Sequence, residues 1–286
     1  MVEATGPQAT VQDAGRPGYS DLGVGVSGAA DRAAARLGNR LVGNPEDAAV
    51  LEATFGGLAV RVRGGATVAV TGAPCEVVVD GRPVGHHCRV RVPAGARLRL
   101  DAPAAGVRSY LAVRGSIAVD PVLGSRSTDV LAGLGPAALS VGDVLPVGAA
   151  RGVPPATDLA PVASPPAGDV SVRVVLGPRH DWFTADAVQA LLRTPWTVSR
   201  DSNRVGMRLD GPAMERAAGF ADAELPSEGV VRGSLQIAAS GRPTVFLADH
   251  PVTGGYPVAA VVLDADTDLL AQVRAGQRLR FRAVGV

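Results

Sequence analysis

Residues 66–100 read ATVAVTGAPCEVVVDGRPVGHHCRVRVPAGARLRL. The apolar runs ATVAVTG and EVVV and the alternating runs RVRV and ARLRL are each short, and Asp80-Gly81 and Ala94-Gly95 punctuate them. Alternation of apolar and polar residues has the period of a half-buried strand, and Asp-Gly is a strong hairpin-turn signal. The stretch therefore reads as consecutive antiparallel strands, the spacing of a β-barrel or sandwich.

Working outward, SYLAVRGSIAV at 109–119 continues the style, and residues 149–168, AARGVPPATDLAPVASPPAG, interrupt it with five prolines. Such a segment suits a stiff, partly extended connector. Beyond it VSVRVVLGP, WTVSRDSNRVGMRLDGP, GSLQIAASGRPTVFLAD, YPVAAVVLD and GQRLRFRAV repeat the pattern, and Ala275-Gly276-QRLRF resembles Ala94-Gly95-ARLRL. The reading is a mainly β chain of two similar barrels with a few short helices: an N-terminal domain over 1–150, a linker over 151–167 and a C-terminal domain over 168–286.

Two helices are expected. In AADRAAARLGNRLVG, Ala30, Ala33, Ala34, Leu37 and Leu41 recur at helical spacing, with Ser27 as cap and Gly43 as stop. A second helix is placed over Ala185–Arg193, capped by Thr184 and ended by Pro195. Gly23, Gly25 and Gly28 match G-x-G-x-x-G ahead of the first helix, but AGRPGYSDL upstream is no buried strand, so the dinucleotide reading is rejected.

Composition narrows the chemistry. The 286 residues are 47% hydrophobic with net charge +1 and no run of five like charges, which argues against nucleic acid as a partner. No window approaches the roughly 18 apolar residues of a membrane helix, and the first residues lack a leader pattern, so a soluble, cytoplasmic protein without membrane contact is expected. Cys75 and Cys88 are too few for a disulfide framework, and adjacent His86, His87 and Cys88 point to opposite faces of a strand unless it bulges, so no metal is assigned. All 28 basic residues are arginine. Without lysine there is no Schiff base, P-loop lysine or biotinyl-lysine on this chain, and anions must be held by arginine forks, backbone N–H groups or a metal.

Four polar loops stand out against the strands. TVQDAGRPGYSDLG carries Gln12, Asp13 and Arg16; LGSRSTD carries Ser125, Arg126, Ser127, Thr128 and Asp129; ELPSEGVVRGSLQI sets Glu228 ahead of Gln236; DHPVTGGYP carries Asp249, His250, Thr253, Gly254, Gly255 and Tyr256. Taken singly, each is compatible with an ordinary surface turn. Together they have the character of site loops carried on a rigid barrel, and all four are expected to line one cleft.

These loops, with GVGVSGAADRAAARLGNRLVGNPEDAAVLEATFGG, GVRSYLAVRGSI and SNRVGMRLDGP, resemble the successive motifs of the allophanate hydrolase subunit 2 family over nearly the whole chain. Its members include the C-type subunit of the ATP-dependent 5-oxoprolinase, half of the carboxyltransferase region of urea carboxylase, and an antagonist of a sporulation-kinase inhibitor. The resemblance implies cyclophilin-like barrels, an obligate subunit 1 or B-type partner and, for the oxoprolinase, an A-type lactam-cleaving subunit. ATP with magnesium would act at the level of the complex, with no cofactor bound tightly to this chain. Within that reading Asp249 and Glu228 are candidate catalytic bases, Arg16, Arg126 and Ser127 face substrate carboxylate or phosphate, Asp13 orients Arg16, and Gly254, Gly255 and Tyr256 complete an anion site. Pro251-Val252 depart from the family, where many relatives carry Gln-Thr.

Overall fold

The alternation at 97–100 is realised residue by residue: Arg97 and Arg99 are exposed while Leu98 and Leu100 are fully buried. The structure is a computed structural model in which residues 1–153 and 155–285 are described. It comprises two compact units. The first holds Met1–Arg16, Ser27–Asp129 and Gly133–Pro165, and the second Pro17–Val26, Val130–Ala132 and the chain from Pro166 onward.

Among the described residues the first unit contains ten strands: β1 (Val2–Thr5), β2 (Gln8–Gln12), β3 (Val50–Thr54), β4 (Leu58–Arg61), β5 (Ala66–Gly72), β6 (Val77–Val79), β7 (Arg82–Val84), β8 (Arg89–Val92), β9 (Arg97–Leu100) and β10 (Arg108–Val113). They form two five-stranded sheets, β1-β4-β9-β6-β7 and β2-β3-β10-β5-β8, with antiparallel pairings throughout. Val11, Leu51, Val68, Val70, Leu98, Leu100 and Leu111 from both sheets make one core cluster. Each fully buried leucine contributes roughly 1.5–3 kcal/mol relative to its exposed state.

In β10 every residue is buried rather than every second one. The cause is helix α1 (Arg32–Val42), whose Ala34, Ala35, Leu41 and Val42 cover the other face of the sheet at Ala69, Tyr110 and Ala112. A strand sandwiched on both faces loses its alternation. Helix α1 ends at Gly43 as expected, in the left-handed conformation, but it is capped by Asp31, whose carboxylate accepts from Ala34 N at 2.9 Å. Ser27 is four residues too early and sits at φ 56° with its hydroxyl on Thr128 O. The predicted stripe is also rotated, since Ala33 is exposed. Beneath the cap, Asp31 N donates to Tyr110 Oη at 2.7 Å, and that hydroxyl donates to Glu52 at 2.8 Å. Burial, then the charge of Glu52, pushes the Tyr110 phenol well above its ordinary pKa.

The proline-rich stretch is not a free connector throughout. Leu159 bridges Cys88, Arg89 N donates to Asp158 O and Ala160 N donates to His87 O, both at 2.9 Å, so residues 158–160 lie along the outer edge of the β8 segment. The Arg89 guanidinium fixes the same strap through Pro155 O at 2.9 Å and the Asp158 carboxylate. Just before β8, His87 takes φ 55° and its ring meets His86 edge-on at 4.2 Å. Burial, with the neighbouring His87 second, lowers the His86 pKa to about 4. Cys75 and Cys88 are free thiols. Among the described residues no group of three His, Cys, Asp or Glu side chains is placed to hold a metal ion, and no helix is long and apolar enough to cross a membrane.

The second unit is a closed seven-stranded barrel. Its strands are β11 (Val170–Leu176), β12 (Trp196–Val198), β13 (Gly206–Asp210), β15 (Ser234–Ile237), β16 (Pro243–Phe246), β18 (Val258–Val262) and β19 (Arg278–Ala283), with β14 (Glu228–Gly229) and β17 (Thr253–Gly254) forming a separate two-stranded ladder. The barrel runs β11-β18-β15-β16-β13-β12-β19 and closes through a parallel β11–β19 pair. Val172, Val174, Trp196, Leu209, Leu235, Val245, Leu279 and Phe281 fill it, joined by Leu191 of helix α2 (Ala185–Arg193). Thr184 caps α2 through Ala187 N, as its sequence indicates. A third helix, α3 (Asp264–Leu270), was not anticipated; an Arg173–Asp266 fork ties it to β11.

Candidate functional site

In the first unit the loop after β2 and the LGSRSTD loop come together around one carboxylate. Asp13 Oδ1 accepts from Gly15 N at 2.8 Å and from the hydroxyls of Ser125 and Ser127 at 2.6 Å each, and Oδ2 accepts from Arg126 N at 2.5 Å. Gln12 completes the seam by donating to Thr128 O at 2.9 Å. Asp13 therefore shapes the serine loop and makes none of these bonds to Arg16, contrary to the orienting role expected of it.

Arg16 lies behind that loop and is 1% exposed. Its Nη2 donates to Ser127 O, its Nη1 stands 3.9 Å from Asp129 Oδ2, and neither Nε nor Nη1 makes a hydrogen bond. A buried guanidinium with donors unspent is costly unless another acceptor arrives. Gly135, at φ 82°, permits the arrangement, because a Cβ there would stand 2.0 Å from Ser127 O and 3.1 Å from Arg16 Nη2. Arg126 does not share this site by its side chain: its Nε is bonded to Val119 O at 2.6 Å, and only its amide joins the Asp13 cluster.

In the second unit the other two loops also meet. Glu228 pairs with Gly254 and Gly229 with Thr253 in the β14–β17 ladder, and Gln236 Nε2 donates to Tyr256 O at 3.0 Å. Neither Gly254 nor Gly255 has a positive φ, so the alternating handedness that builds a backbone anion nest is missing there. Gly254 is needed for closeness instead, since a Cβ would fall 2.4 Å from Gln236 Nε2.

Both candidate bases are engaged by arginines. Asp249, 1% exposed, receives Arg204 Nε at 2.8 Å on one oxygen and Nη2 at 2.9 Å on the other, and Val130 N donates to it at 3.1 Å. Glu228, half-buried at the surface, is held by Arg179, whose Nε lies 3.0 and 3.1 Å from its two oxygens. Hydrogen bonding from Arg179 depresses the Glu228 pKa below the ordinary carboxylate value, against the opposing effect of desolvation. His250 is occupied locally, with Nδ1 2.7 Å from Pro251 O and its ring stacked on Phe246.

A cleft of about 660 Å³ opens beside this ladder, with Tyr256, Gly255, Met214, Arg216, Glu224 and Ser240 among its lining residues. Arg216 is fixed there by donation to Ala223 O at 2.8 Å and by stacking over Trp182 at 5.5 Å. Glu228 and Asp249 do not line it. Asp13, Arg16 and residues 125–129 belong to the first unit, and Glu228, Gln236 and residues 249–256 to the second. Arg179, Arg204 and Arg216 were missed by sequence reading. No local signal marks Arg204, because its pairing with Asp249 spans 45 residues.

These features define a mainly β protein with one unit of two five-stranded sheets and one closed barrel, the polar loops of the latter held by arginine–carboxylate pairs. The chain belongs to the carboxyltransferase domain, subdomain A and B, family, whose model matches residues 22–283. It is 39% identical to the C-type subunit of the 5-oxoprolinase of Escherichia coli K12, over 96% of this chain and 88% of that protein. It is 34% identical to the corresponding 5-oxoprolinase polypeptide of Haemophilus influenzae, also the C-type one, over 98% and 89%. The crystal structure of Kluyveromyces lactis urea amidolyase superposes with a TM-score of 0.92 at 27% identity, covering 99% of this chain but only 19% of that longer one.

Proposed function

We propose that this chain is the C-type subunit of an ATP-dependent 5-oxoprolinase, helping convert 5-oxo-L-proline to L-glutamate. The observation that carries the reading is the 39% identity over 96% of this chain and 88% of the Escherichia coli protein. Opening a lactam requires an anion clamp for the substrate carboxylate, a carboxylate to direct water and donors for the developing oxyanion. Arg16 fits the clamp, because its Nε and Nη1 are buried and unspent. Ser127 and Asp13 fix the loop behind it. In the second unit Glu228 is the more available of the two candidate bases, since it is partly exposed and held by a single surface arginine. Asp249, with both oxygens on the Arg204 fork, is the less available of the two. Tyr256 and Gly255 border the cleft of the second unit, which supports a role for them in contacting a small ligand.

ATP with magnesium is consumed by the assembled complex, and a B-type partner together with an A-type lactam-cleaving subunit supplies the remaining groups. A carboxyl-transfer role toward a urea-like acceptor is the second reading, favoured by the family match and the urea amidolyase likeness. It requires biotin on a lysine outside these 286 residues, which contain none. The test is reconstitution. The purified chain alone is expected to show no turnover, and the chain with its A- and B-type partners to release glutamate from 5-oxoproline only with ATP. Glutamate release by the chain alone, or carboxylation of urea by the chain with a biotin carrier and no lactam cleavage, overturns the assignment.

A further inference from the structure

The first unit contains an apolar cavity that the proposed reaction does not use. It has a volume of about 260 Å³ and penetrates the core between the two sheets, walled by Leu51, Val60, Val68, Leu98, Leu111 and Ile117. Val144 and Val147, 54% and 50% exposed, stand at its outer end, so apolar surface runs from solvent into the core. Arginines also border it. Arg61 shares the Glu3 carboxylate, 2.6 Å away, with Arg97, whereas Arg63 and Arg114 have no carboxylate partner among the described residues. Arg63 is exposed, with only the Met1 sulfur 3.9 Å from its Nη2, and Arg114 spends its two terminal nitrogens on the carbonyls of Val42 and Gly152.

We propose that this cavity binds a small amphipathic carboxylate, its hydrocarbon tail between the sheets and its head group on Arg63 at the rim, with Arg114 adding positive charge. An apolar shaft leading to an unpaired guanidinium is complementary to one ligand class: an uncharged tail is satisfied by the walls, and a carboxylate is bound bidentately by an arginine fork. A heavy atom takes about 30 Å³, the share of a water molecule in the liquid, so the cavity suits an acid of about six to ten carbons. A polar lactam such as 5-oxoproline would leave its amide unsatisfied against these walls, which separates this site from the proposed reaction.

Octanoate titrated into the full chain is the test, with 1-octanol as the uncharged control and methyl NMR signals of Leu111 and Ile117 as reporters. Saturable binding at millimolar octanoate is expected, with those methyls shifting and the alcohol binding at least tenfold more weakly. The Arg63→Glu variant should weaken octanoate by about tenfold, which is 1.4 kcal/mol, and leave the alcohol unchanged. This variant sits at an exposed position and is expected to fold. Absence of saturable binding, equal affinity for acid and alcohol, octanoate affinity unchanged in Arg63→Glu, or shifts confined to the second unit would each overturn the proposal.

Discussion

Asp249 has both carboxylate oxygens spent on the Arg204 fork, and neither partner reaches solvent. Removing the charge from one member of such a pair strands the other, a cost of about 3–5 kcal/mol. The Asp249→Asn variant is therefore expected to lose stability of that order in chemical denaturation. Its reconstituted complex, assayed where the variant remains folded, should keep activity within tenfold of the parent. A free catalytic base would give the opposite signature, near-normal stability with a loss of about 100-fold or more in rate. The distinction shows what residue-level reading can supply. Asp13, Ser127 and Arg16 were legible as a polar loop pair, because glycine-rich turns with charges interrupt strong strands. Their partners were not, because Arg204 meets Asp249 across 45 residues and Arg179 meets Glu228 across 49, and nothing local marks such pairings.

At the scale of elements, α2 was legible to the residue because its cap, its periodicity and Pro195 agree. The start of α1 was misplaced because both Ser27 and Asp31 are good cap residues, and tertiary contacts select between them. Tyr110 and Glu52 organise the amides of Asp31 and Ala30, which places the helix start at Arg32. Replacing Asp31 with Ala should cost about 1–2 kcal/mol through the lost bond to Ala34 N, whereas Ser27→Ala should cost clearly less, read as the shift in denaturation midpoint at unchanged slope. Equal effects of the two changes would contradict the assignment of the cap. Helix α3 escaped notice because DADTDLL is short and strongly acidic. Its aspartates suit a first turn, where negative charge is favourable, but the fork from Arg173 that secures it lies 93 residues away.

For the whole molecule, the mainly β character was readable from strand periodicity, while the interleaving of the units was not. Residues 17–26 and 130–132 group with the second unit although they lie well before the proline-rich stretch that marks the boundary in sequence. Their sorting depends on packing rather than on any turn or linker signal.

The strap formed by residues 158–160 bears on how this protein avoids sticking to copies of itself. Strand β8 is the last in its sheet, and an unpaired outer strand offers a row of backbone donors and acceptors to any other chain. By occupying His87 O and Arg89 N, the strap closes part of that row with the protein's own backbone. During synthesis the row stays open until residue 160 has been made, so a chain stopped at residue 150 keeps a templating edge that one stopped at 165 has covered. The shorter fragment should therefore self-associate in light scattering under conditions where the longer one stays monomeric. Equal behaviour of the two would mean that the strap guards nothing.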